Sequence, residues 1–231
     1  MQNKSHAVMS QRAEARDSLD DFPTPPWATR ALLEHIIERK TRGAGLSVLE
    51  PACGRGYMAR TLGEYFGEVH ASDLHPYGYG GCADFLTAQH VENSVDWVIT
   101  NPPFRHAEEF IQRSLPLARR GVAMLVRTVF IESVGRFQRV FQSTPPSRFA
   151  QFSERVPMVK GRVDKKASTA TGYAWIVWER GHSGPPQLTW VPPCRKSLER
   201  IEDYDPEFLS VEAAKEAPTG QSDLFSQVAA E

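Results

Sequence analysis

The sequence predicts an α/β fold of parallel strand-helix-strand units, on three observations. Short apolar, β-rich runs alternate with segments of helical period, the connections between them are long enough for crossovers, and glycine, acidic and proline residues punctuate the ends of the runs. In such sheets ligands bind beyond the carboxyl ends of the strands, so candidate chemistry is sought there.

The elements follow in order. TPPWATRALLEHIIERK opens with Thr24 and prolines suited to a first helical turn, then places Ala28, Leu32 and Ile36 on one face. LSVLEPA reads as a buried strand, YMARTLGEYF as a helix and EVHASDL as a second strand. DWVIT is a third strand, stopped by prolines that forbid both further pairing and an immediate helix. AEEFIQRSLPLARR reads as a helix interrupted near Pro116, GVAMLVRTVF as a strand and RFQRVFQ as a helix. SRFAQFS and YAWIVWER are strands, and PPQLTWVPP is a short edge strand between prolines. The intervening ERVPMVKGRVDKKASTATG is a polar loop of a length that is usually functional or disordered.

Residues 1–20 and 201–231 show no sustained apolar face and read as flexible tails around one domain, 21–200. With 231 residues, 41% of them hydrophobic, the chain has material for one sizeable core. Lys and Arg number 27 against 28 for Asp and Glu, so net charge offers no argument for a nucleic-acid partner, which must be sought at the site itself. The cysteines Cys53, Cys82 and Cys194 lack metal-ligand spacing and suggest reduced thiols in a cytoplasmic protein. No segment has the length and apolarity of a membrane span, and no metal site is expected.

The stretch VLEPACGRGYMAR sets strand, tight glycine turn and helix in series, so Gly54 and Gly56 would let the backbone approach a ligand closely. Alone it equally describes an ordinary turn, or a dinucleotide site, since Gly54-x-Gly56-x-x-Ala59 is followed by Asp73 at a suitable distance. Asp73 would accept hydrogen bonds from ribose hydroxyls under either cofactor. Asn101-Pro102-Pro103-Phe104 alone reads as a strand-ending turn, because Asn and Pro are common turn residues. Glu50, the glycines, Asp73 and this tetrapeptide in one order are more specific than any of them singly.

On those residues the sequence resembles the class I S-adenosylmethionine-dependent methyltransferases, and among them the amino-methyltransferases marked by an Asn/Asp/Ser-Pro-Pro-aromatic tetrapeptide. FPTPPWATRALLEHI adds a likeness to compact bacterial and phage-type DNA adenine-N6 methyltransferases, over about residues 22 to 180. The resemblance implies a Rossmann-like, doubly wound, mostly parallel seven-stranded sheet and S-adenosylmethionine as cofactor. It implies that Thr24 and Pro25 border the methionine part of the cofactor, that Glu50, Ala52, Cys53, Gly54 and Gly56 form the loop around it, and that Asp73 takes the ribose. Asp84 would hold the adenine amino group, with Phe85 and Leu74 as apolar walls.

An exocyclic aromatic amine is a poor nucleophile because its lone pair is delocalised into the ring. Asn101 and the Pro102 carbonyl would accept its two hydrogens, bias the nitrogen toward pyramidal geometry and aim the lone pair at the sulfonium methyl. Pro103 would stiffen the loop, and Phe104 would stack on the target base, which duplex DNA must flip out. Asn101 is neutral, so proton loss would follow methyl transfer.

The same tetrapeptide serves enzymes acting on guanine N2 in RNA or a glutamine amide, and a non-catalytic DNA-binding protein on this fold remains a further alternative. The TPP start and the likeness of LVRTVFIESVGRFQRVF to phage-type enzymes favour DNA, with Arg127 and Arg136 as candidate phosphate contacts. Arg155, Lys160, Arg162, Lys165 and Lys166 in the long loop would track phosphates in place of a full target-recognition domain. Gln221, Leu224 and Phe225 in GQSDLFS resemble the short peptide by which bacterial DNA-processing proteins dock on the replication sliding clamp.

Overall fold

The computed structural model describes residues 20–37 and 45–204. Helix α1 (Pro26–His35) leads into β1 (Ser47–Glu50), α2 (Tyr57–Leu62), β2 (Glu68–Asp73), β3 (Gly81–Cys82) and β4 (Val95–Thr100). Then come α3 (Ala107–Leu117), β5 (Ala118–Arg127) and α4 (Val134–Arg136), which continues as a π-helical turn over Phe137–Phe141. Strands β6 (Arg148–Phe152), β7 (Tyr173–Glu179) and β8 (Gln187–Val191) precede α5 (Arg195–Leu198) and a 3₁₀ turn at Ile201–Tyr204.

Among the described residues, one sheet holds eight strands in the order β3-β2-β1-β4-β5-β7-β6-β8. Strand β7 alone runs against its neighbours, pairing antiparallel with β5 and β6, while the other pairs are parallel. The expected count of seven is corrected to eight: every strand read from the sequence is present, and the addition is Gly81–Cys82, two residues too short for any periodic signal. Pro116 sits one residue from the end of α3 and ends the helix instead of interrupting it, so Ala118 already belongs to β5.

Buried on both faces, β4 divides its side chains between two cores. Trp97 and Ile99 join Trp27, Leu32 and Trp175 on the α1 side, whereas Val95 and Val98 join Ile111, Met124 and Trp178 on the α3 side. The Trp175 indole N–H donates to the Ala28 carbonyl at 3.1 Å, which fixes α1 on the sheet. Position 121 must be glycine for packing: a Cβ there would come within 2.6 Å of the Trp178 carbonyl oxygen and of the Trp97 ring.

Charged groups tie the strand starts and the chain ends. Asp96 at the start of β4 accepts from the Ser47 N–H (3.0 Å) and hydroxyl (3.2 Å) and pairs with Arg119 (3.1 Å) and Arg120 (3.3 Å) at the start of β5. Arg30 of α1 is buried and pairs with Glu64 at 2.7 Å and Asp203 at 2.8 Å, and donates to the Leu198 carbonyl at 2.8 Å. Asp20 and Asp203, placed in tails by composition, both make specific contacts with the body of the fold. Gln221, Leu224 and Phe225 lie outside the described residues.

Candidate functional site

A cavity of about 990 Å³ opens at the carboxyl ends of β1, β2, β4 and β5. That size is at the upper end of the ~300–1,000 Å³ of small-molecule sites, enough for a cofactor and part of an acceptor. Strand β1 delivers Glu50, which is buried and lines the cavity. Its Oε2 has no partner among the described residues. Burial first, and the nearby Asp73 charge second, push its carboxyl well above the ordinary 4.5, against a hydrogen bond from the Ala59 N–H.

The chain then turns through Gly54 and Gly56, both left-handed, with φ of 50° and 83°. The two glycines differ in purpose. A Cβ at Gly54 would meet nothing within 4 Å, and its backbone faces the cavity. A Cβ at Gly56 would strike the Tyr79 ring at 2.4 Å, so Gly56 serves packing and stands outside the cavity lining. Cys53 is buried, and burial first, with Glu50 and Asp73 after it, raises its thiol far above the ordinary range, which leaves no activated thiolate.

At the end of β2, Asp73 accepts from the Gly54 N–H at 2.8 Å and the His75 N–H at 3.0 Å. A carboxylate has about four acceptor sites, so two remain for hydroxyls. Leu74, 57% exposed, offers an apolar face beside it. Asp84 and Phe85 do not line this cavity. The Asp84 carboxylate is turned into its own loop, accepting from the Leu86 N–H at 2.9 Å and the Thr87 hydroxyl at 3.0 Å, and Phe85 is buried against Phe110. Pro25 and Pro102 are also buried behind the lining, whereas Thr24, Ala52 and Pro103 are in it.

The end of β4 shows the most directed geometry. Asn101 donates through Nδ2 to the Phe22 carbonyl at 3.0 Å, with the Met158 sulfur 3.8 Å away. A carbonyl can only accept, so the amide orientation is fixed and Oδ1 turns the other way, buried in the lining with no partner among the described residues. The Phe104 N–H donates to Asp20 Oδ2 at 2.7 Å, and its ring lies 5.8 Å from that of Phe22. Residues 20–24 thus form a strap across the tetrapeptide. Asp21 extends the strap, pairing with Arg55 at 3.4 Å and accepting from the Gly161 N–H at 2.8 Å. Phe22, Asp20 and Met158 carried no local sequence signal, because their partners lie between 57 and 84 residues away.

The basic candidates separate. Arg127 lines the cavity with its guanidinium 4.1 Å from the Phe104 ring centroid, covering the ring. Arg136 is held by Glu108 at 3.0 Å and donates to the Phe130 carbonyl. Arg162 and Lys166 fold around Asp164, Arg162 by a 3.2 Å ion pair and Lys166 through its backbone N–H at 2.9 Å. Lys165 lies 5.9 Å from the Tyr204 ring centroid, and Lys160 is exposed. Ser168, Thr169 and Thr171 of the same long loop line the main cavity, and Arg155 lines a neighbouring one.

Burying hydrogen-bonding atoms without partners is costly, and four that have none among the described residues line one cavity: the donor Arg127 Nε, and three oxygens, on Thr24 (Oγ1), Glu50 (Oε2) and Asn101 (Oδ1). A ligand bearing an ammonium group, hydroxyls and an aromatic amine would satisfy them, which is the inventory of S-adenosylmethionine and an amine acceptor.

No family model and no curated protein matches this sequence. Solved structures do match in shape. The type I restriction-modification methyltransferase subunit from Streptococcus thermophilus aligns at TM-score 0.57 and 10% identity over 84% of this chain and 53% of that one. A modification subunit assigned to a type I restriction enzyme of Vibrio vulnificus gives 0.54 and 15% over 84% and 52%. A protein of Listeria monocytogenes assigned as a class I S-adenosylmethionine-dependent methyltransferase gives 0.53 and 17% over 85% and 73%. The chain spans about half the length of the two restriction-modification subunits. The fold, a mostly parallel α/β sheet, is the one these solved methyltransferase structures share.

Proposed function

We propose that this protein transfers a methyl group from S-adenosylmethionine to the exocyclic N6 amine of adenine in DNA. The observation that carries the reading is Asn101: its amide is locked by the Phe22 carbonyl so that Oδ1, an unpartnered acceptor, lines the cavity. The cofactor supplies an electrophilic methyl on a sulfonium sulfur.

Glu50 binds the ammonium group of the cofactor, directly or through water, Asp73 accepts from the ribose hydroxyls, and Leu74 packs on the adenine ring. Asp84, turned into its own loop, takes no part in this cavity. Asn101 Oδ1 accepts a hydrogen of the target amine, which orients the nitrogen lone pair toward the methyl for in-line transfer. Because Asn101 cannot take a proton, the ammonium product of transfer loses its proton to solvent afterwards. The base takes the Phe104 face that Arg127 covers, and Arg127, moved aside, meets a backbone phosphate.

The TPP start favours DNA, and the two restriction-modification neighbours are in keeping with it. An RNA base is the second reading, favoured by a structural likeness to a protein of Pyrococcus horikoshii assigned as an RNA methyltransferase (TM-score 0.50, 17% identity, 68% of this chain and 86% of that one). Labelled cofactor offered to unmethylated DNA and total RNA in parallel, with nucleoside mass spectrometry, tests the choice. N6-methyladenine in DNA, lost in Asn101→Ala while cofactor binding persists, is expected. Label confined to RNA moves the chemistry to the second reading, and label in neither overturns both.

A further inference from the structure

A second cavity, of about 400 Å³, adjoins the first and has no part in the chemistry above. The end of β5 and the start of β7 divide their residues between the two: Arg127 and Thr171 line the first, Thr128 and Gly172 the second, and Tyr173 both. A substrate chain leaving the reaction centre past Tyr173 enters the second cavity directly.

Its outer wall is Trp190 on edge strand β8, 64% exposed and opposite Gln151 of β6 in register. Leu188, two residues earlier on the same face, is 62% exposed. An exposed indole lining a cavity, with a second exposed apolar side chain on the same face of its strand, marks a surface built for contact. Arg155 forms another part of the wall. A Cβ at Gly172 would come within 3.2 Å of Arg155 Nη1 and 3.0 Å of Thr128 Oγ1, so the glycine leaves the notch that seats the guanidinium between the cavities.

An open indole face and a guanidinium around one small cavity fit a nucleotide: base on the aromatic ring, phosphate on the cation. We propose that this cavity holds the DNA nucleotide adjoining the target adenine, with its base laid on Trp190 and its phosphate met by Arg155. The assignment rests on the nucleic-acid reading of the main site. Stacking accepts any base, so this subsite adds affinity without adding sequence recognition.

The test uses the full chain and synthetic DNA oligonucleotides with one target adenine and either a normal or an abasic nucleotide on its 5′ or its 3′ side. For the wild type, removing the neighbouring base on one of the two sides is expected to raise KM about tenfold with kcat little changed. Trp190→Ala should raise KM on intact DNA by a similar factor and become insensitive to the abasic position, while Trp190→Phe retains most of the affinity. Arg155→Gln should lower the slope of log KM against log salt by about one. Wild-type KM in Trp190→Ala, or indifference of the wild type to abasic sites on both sides, overturns the subsite while leaving the methyltransferase reading intact. No transfer by the wild type to any oligonucleotide overturns both.

Discussion

At the scale of single residues, the site is defined by buried polar atoms with no partner among the described residues. Glu50 is the sharpest case, a buried carboxyl raised by burial and by Asp73. A carboxyl group whose folded value lies above its unfolded one withdraws stability as pH rises from about 4.5 through the raised value. The cofactor-free protein is expected to lose stability over that range, and Glu50→Gln to flatten the loss while weakening S-adenosylmethionine binding tenfold or more. Thermal unfolding from about pH 4.5 to 8, with and without cofactor, measures both, and parallel curves for variant and wild type would count against this role. Asn101→Asp keeps an acceptor but loses the donor to Phe22, placing two oxygens in opposition. Methyl transfer should fall about 100-fold or more, the scale of losing one oriented polar group, with the cofactor affinity measured by calorimetry retained.

At the scale of elements, Asp96 joins the starts of β1, β4 and β5. Burial opposes its ionisation, but Arg119 and Ser47 prevail and hold the carboxyl at about 2. Its contribution to stability is present above the ordinary 3.8 and is lost as pH falls through about 2. Asp96→Ala should cost about 1–3 kcal/mol by urea unfolding at neutral pH, mostly from the Ser47 bonds, since both arginines are exposed. The strands themselves were legible because residues such as Val95 to Thr100, Asp96 apart, are apolar or β-favouring and are followed closely by prolines. The glycine turn was legible too, although only the structure separates Gly54, which faces the cavity, from Gly56, which makes room for Tyr79. What sequence could not reveal was long-range pairing. Arg136 looks like any surface arginine until Glu108 is placed beside it, and Asp84 like any motif acid until Thr87 claims it.

At the scale of the whole molecule, the two ends of the described chain close the fold. Burial would weaken the charge of Arg30, yet Glu64 and Asp203 leave it more firmly protonated than usual. Asp203→Ala should therefore cost about 3 kcal/mol in unfolding free energy, the penalty for stripping a partner from a buried ion. A chain ending at residue 200 should show a similar loss, and unchanged stability in both would remove the lock. The opposite end acts on chemistry more than on stability, since Phe22 aims Asn101 from 79 residues away. The oxygen that does this belongs to the peptide backbone, so no point substitution at position 22 erases it, and genetic drift there leaves the reaction centre aimed. Cutting the backbone is another matter. On the proposed function, a single proteolytic nick just ahead of Thr24 would stop methyl transfer with the sheet still whole, an inactivation that reads chain continuity instead of residue identity.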